Sequence, residues 1–145
     1  NKHKHEISYY PEVQQVLGEL SKNYKLIVNS NSAREFLDFE INKVKRYFHR
    51  IFSAPSDFKL VKKTVNVYLR ICDVLRVEPA EMVHVGDLWI DDFVTPRKIG
   101  ILSFYLDRKG EKRGEFIVKN LEEFKTAVKD LEKGNVFKEE FSLKS

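Results

Sequence analysis

Three features of this 145-residue sequence predict an α/β domain with a parallel sheet covered by helices on both faces. Short apolar runs alternate with amphipathic stretches along the whole chain, which is the pattern of successive βαβ units. The spacing between apolar runs leaves room for a helical crossover each time, and such crossovers join parallel strands. The length suits one domain, large enough to bury about 70% of the surface its unfolded chain exposes.

The elements follow in order. "PEVQQVLGEL" places Val13, Val16, Leu17 and Leu20 on one helical face, with Pro11 where a first-turn proline is tolerated. "KLIVNS" reads as a short buried strand. "SARE" (Ser32 to Glu35) has the form of a capping box, and Leu37, Ile41, Val44 and Phe48 continue that helix. "RIFSA" is a second strand, closed by Pro55 and Ser56. Val61, Val65, Tyr68, Leu69, Cys72 and Leu75 trace a long amphipathic helix that stops near Pro79, with Lys62 and Lys63 in its first turn. "MVHVG" is a third strand; Asp91 or Asp92 then opens a short helix that contains Pro96 and stops at Gly100. "ILSFYL" is a fourth strand, followed by the charged turn "DRKGEKRG". "FIV" and a helix carrying Leu121, Phe124, Val128 and Leu131 lead to a tail in which Phe137 and Phe141 are expected to dock as one helical turn. The expected organisation is a flexible remnant over 1–8, a core domain over 9–133 and a tail over 134–145.

Composition narrows the setting. No apolar run approaches the roughly 18 residues of a membrane-spanning helix, and no signal peptide is recognisable, so no membrane partner is expected. The single Cys72, set among apolar residues, reads as a small core side chain in a reducing, cytoplasmic environment. Many Lys and Glu with only two Gln lean toward a thermophilic source. The net charge of +4 is unevenly placed: residues 41–70 carry eight Lys/Arg against one acid, and residues 71–106 carry three against six. A basic half beside an acidic one suits a site for an anion and a cation, although a solvated face gives the same pattern. The aromatics of the basic stretch fit the helical core pattern, so nucleic acid is not an expected partner. His3 and His5 read as a frayed polar terminus.

In parallel sheets ligands bind beyond the carboxyl ends of the strands. The first strand ends in Asn29-Ser30-Asn31-Ser32, immediately before a helix. A hydroxyl and free N–H groups there can receive a phosphate, or simply turn the chain. Lys62 and Lys63 oppose the helix dipole in a first turn, so an anionic ligand or a carboxylate is expected to hold them. The third strand ends in "HVGDLWIDDF", where Asp87, Asp91 and Asp92 crowd together. Such carboxylates need water, a helix start or a cation to neutralise them, and oxygen ligands with no Cys or His expected nearby favour Mg²⁺. Trp89 is either an interface anchor or an aromatic covering the edge of the site.

A hydroxyl, a lysine and a Gly-Asp with a further acid, in this order, resemble the haloacid dehalogenase-like hydrolase superfamily from about Tyr9 to Gly110. "YYPEVQQVLGELSKNYKLIVNSNS" is similar to its second motif and "KKTVNVYLRICDVLRVEPAEMVHVGDLWIDDF" to its third and fourth. The resemblance implies a three-layer Rossmann-like sheet and hydrolysis of a small phosphorylated substrate through an aspartyl-phosphate. It further implies that Ser30 and Asn31 bind phosphate, that Lys62 offsets charge, and that Asp87 and Asp92 serve Mg²⁺. Lys63 stands where the family often has proline, so the two lysines compete for one role.

The family's first motif, DxDx[TV] after an apolar strand, is absent from this chain. By the resemblance that strand lies in the middle of the sheet, so the fold is expected to be incomplete and the chain inactive alone. Unpaired central strands are costly. A separate N-terminal fragment carrying the motif and a cap is therefore expected as a partner, or else closure of the sheet or a swap with a neighbour. The competing reading is a non-catalytic Rossmann-like module that binds an anion or a protein. A receiver domain has its acid pair first, whereas here the acids come last.

Overall fold

β1 (Lys25–Ser30) pairs in parallel with β2 (Phe48–Ser53), Leu26 lying opposite Phe48 and Ser30 opposite Ser53. The computed structural model describes residues 11–60, 63–133 and 140–143. β3 (Met82–Gly86) pairs in parallel with β4 (Leu102–Leu106), which pairs with β5 (Ile117–Val118). Between β1 and β3 runs β6 (Glu140–Leu143), parallel to both. The six strands lie in the order β2-β1-β6-β3-β4-β5.

The helices are α1 (Val13–Ser21), α2 (Arg34–Glu40), α3 (Ala54–Phe58), α4 (Val65–Leu75), α5 (Thr95–Arg97) and α6 (Leu121–Lys133). Alternation along the strands feeds two cores, because successive side chains leave a sheet on opposite sides. Leu26, Val28, Val83 and Val85 pack with Leu17 of α1 and Phe124 of α6. Ile27 and Met82 pack on the other face with Tyr68, Ile71 and Cys72 of α4. Strands buried on both faces read as continuous apolar runs, which is why "KLIVNS" and "MVHVG" were legible as strands. α1 is tied to α6 where Lys125 pairs with Glu19, and Tyr24, in the turn before β1, hydrogen-bonds Glu132 of α6. Among the described residues no helix is long and apolar enough to cross a membrane.

Four expectations change. Ser32 does not cap α2; Ala33 occupies the cap position, and the Arg34 N–H donates to Ser56 Oγ across the strand end. α2 also stops at Glu40, and Phe48 opens β2, although Leu37, Ile41 and Val44 are buried as their spacing implied. Lys63 precedes α4 in irregular chain, with Thr64 at the cap position, so it does not sit against the helix dipole. The tail forms no helical turn at Phe141, which lies within β6; Phe137 falls outside the described residues, as do residues 1–10.

β6 carries the main consequence. The central position, where the resemblance implies an N-terminal strand, is taken by residues 140–143. Glu140 aligns with Lys25 on one side and Met82 on the other, and Leu143 with Val28 and Val85. Pairing of the backbone groups of β1 and β3 outweighs the helical reading of a short apolar tail.

Candidate active site

The carboxyl ends of β1 and β3 bring the polar residues together. Ser30, at the end of β1, is buried, and its Oγ accepts from the Ser32 N–H at 2.9 Å. Asn31 Nδ2 reaches Asp91 Oδ2 through a long contact of 3.4 Å, so the β1 turn abuts the acidic loop. That loop follows Gly86 and passes through a π-helical turn over Trp89–Val94, a distortion common at functional sites. Asp87 is exposed, Asp91 half-buried and Asp92 fully buried.

Asp92 is the hub. Its Oδ1 accepts from Lys63 Nζ at 2.6 Å and from His84 Nε2 at 2.9 Å, and its Oδ2 accepts from the Leu88 N–H at 3.0 Å. A carboxylate can only accept, so His84 carries its proton on Nε2. Burial by itself pushes the Asp92 carboxyl up. The Lys63 charge, with the His84 hydrogen bond behind it, outweighs burial and holds the group well below the usual carboxylate range. Gly86 is required by the same packing: a Cβ there would lie 2.2 Å from Asp92 Cγ. Tyr68 Oη sits 3.3 Å from His84 Nε2 and donates to the Asp91 carbonyl, fixing the loop from below. Burial, then the charges of Asp92 and Asp91, push its hydroxyl well up, so it stays protonated as a donor.

The residues singled out from the sequence therefore fall into distinct positions. Ser30, Asn31, Asp91 and Asp92 meet at one edge of the sheet, with Asp87 at the mouth of the loop. Lys62 lies outside the described residues, and Lys63 is the lysine seen against Asp92. His84 and Tyr68 were read only as strand and core residues. A lone histidine two positions before Gly86, on the same strand face, was the available signal. Trp89 is held against Phe93 and Tyr105 at ring separations of 4.7 and 5.1 Å, with Lys112 Nζ 5.1 Å from its ring centre.

Among the described residues no three His, Cys, Asp or Glu side chains are placed as a ready metal cage. Asp92 is fully buried with both oxygens engaged, and Asp87 and Asp91 lie closer to solvent. Two carboxylates completed by water and substrate oxygens fit Mg²⁺, which seldom takes an all-protein cage.

A parallel α/β sheet thus brings a hydroxyl, a buried lysine and acids to adjoining strand ends. Residues 1–106 match the sequence profile of the haloacid dehalogenase-like hydrolase family, and the chain belongs to that family. Solved structures share the fold. A haloacid dehalogenase-like phosphatase from Thermococcus onnurineus superposes with a TM-score of 0.73 at 22% identity, covering 82% of this chain and 57% of that one. A 2-haloacid dehalogenase from Pseudomonas syringae pv. tomato gives 0.69 at 22% identity, covering 84% and 54%. The putative hydrolase YfnB from Bacillus subtilis, solved bound to magnesium, gives 0.71 at 14% identity, covering 79% and 54%. The chain thus spans little more than half the length of these proteins. A comparison with curated protein sequences yields no match.

Proposed function

We propose that this chain is the core of a Mg²⁺-dependent phosphatase acting on a small phosphorylated metabolite in the cytoplasm, through an aspartyl-phosphate whose aspartate lies on another segment. The observation that carries the reading is the buried Lys63–Asp92 pair, with Ser30 buried at the end of β1 and Asp87 exposed in the loop after β3. Phosphoryl transfer asks a protein mainly for positioning and for neutralisation of the equatorial oxygens. Ser30 offers its hydroxyl to a phosphoryl oxygen, with Asn31 beside it. Lys63, its charge fixed in place by Asp92, supplies positive potential at the strand ends; Lys62 remains its competitor for direct contact. Asp87 and Asp91 would hold Mg²⁺, with Asp92 shaping the loop that presents them. The ion would supply charge neutralisation of the phosphoryl group.

Residues 140–143 contain no aspartate, so on this reading the nucleophile belongs to a DxDx[TV] segment outside these 145 residues. The same central strand favours a second reading, a non-catalytic module that binds an anion or a partner. Calorimetric titration with Mg²⁺ separates them. The phosphatase reading expects binding by the unaltered chain and its loss in Asp87→Ala; a chain that binds no Mg²⁺ would leave only the module.

A further inference from the structure

Asn29 is fully buried, yet neither Nδ2 nor Oδ1 of its carboxamide has a hydrogen-bond partner among the described residues. Three apolar residues, Leu26, Ile27 and Val28, precede it on the same strand. A buried amide with both halves unsatisfied lowers stability, and native structures rarely keep one without a use.

Its position says what that use is. Alternation puts Asn29 on the face of Ile27, the α4 side, which on β3 is the face of His84. Among the described residues β1 is paired on one side only at this level: Asn29 lies opposite Phe52 of β2, and the described part of the β6 ladder ends at Val28 and Val85. Asn29 is thus at the carboxyl edge, next to Ser30, on the face where Lys63 meets Asp92. Asn31 Oδ1, two residues on, is also buried without a partner among the described residues.

We propose that Asn29 is a further ligand-binding residue: its Nδ2 donates to an oxygen of a bound phosphoryl group, and its Oδ1 accepts from a P–OH or an accompanying water. This rests on the phosphate reading of the site and adds a residue to it. The cost of the unsatisfied amide is carried in the free protein and relieved on binding, as for other groups kept for function at the expense of stability.

The test uses the full chain with Mg²⁺ and inorganic phosphate as the probe, comparing Asn29→Leu, Asn29→Val and Ser30→Ala by calorimetry and thermal melting. Asn29→Leu or Asn29→Val is expected to melt at or above the unaltered temperature while weakening phosphate binding at least tenfold. Unchanged phosphate affinity in both variants, with Ser30→Ala impaired, overturns the role of Asn29 and leaves the phosphate site standing. Lower melting temperatures in both Asn29 variants also overturn it, because the amide would then have structural partners. Should the unaltered chain bind no phosphate, the phosphate reading itself fails and takes this inference with it.

Discussion

At the scale of single residues, the Lys63–Asp92 pair is the feature whose removal has the largest expected effect. Neither side chain is solvent-exposed. Asp92→Asn would leave a buried ammonium without its counter-charge, and one-sided removal of such a pair costs about 3–5 kcal/mol. Urea unfolding of the variant should show that loss; a change under about 1 kcal/mol would mean the lysine escapes to solvent. The pH dependence follows from the depressed Asp92 group. Its folded-state pKa lies below the unfolded value of about 3.9, so its stabilisation is complete above that value and is lost as pH falls toward the folded-state one. Melting temperature should therefore drop steeply below about pH 4 in the unaltered chain and less steeply in Asp92→Asn. Gly86→Ala should destabilise by about 1–3 kcal/mol or more, since its Cβ would overlap the Asp92 carboxylate.

At the scale of elements, β6 has the decisive place. It is four residues long and supplies the only described pairing on the inner sides of β1 and β3. Proline cannot donate to a ladder, so Ser142→Pro should be as damaging as deleting 134–145. Both variants should lose the cooperative thermal transition and bind a hydrophobic dye. Retention of the original melting temperature would show that β1 and β3 do not depend on this strand. The start of α4 teaches a related lesson. Two consecutive lysines look misplaced in a helical first turn, and the chain resolves the conflict by starting the helix at Val65 and turning Lys63 inward to a carboxylate.

At the scale of the molecule, the chain has the family fold without the family's first motif. It is expected to give no Mg²⁺-dependent turnover of phosphate esters alone. Adding a polypeptide that carries the DxDx[TV] strand should restore turnover if that strand can take the place of residues 140–143. Hydrolysis by the chain alone, abolished in Asp87→Ala, would instead require a nucleophile among its own residues. Intact-mass analysis of the purified material guards this experiment against a co-purifying fragment.

The sequence by itself determined the α/β class, the extents of "KLIVNS" and "MVHVG", the family, and the polar strand ends at Ser30, Asn31 and Asp87. Those rest on local signals: an apolar run closed by polar residues, a helical stripe, a glycine before an acid. The tertiary structure decided that Lys63 pairs with Asp92, that Tyr68 and His84 brace the loop, that Asn29 is buried without partners among the described residues, and that residues 140–143 lie between β1 and β3. Each of these is a matter of charge or hydrogen-bond satisfaction between groups far apart in the chain, and no local periodicity encodes which distant partner a buried polar group will find.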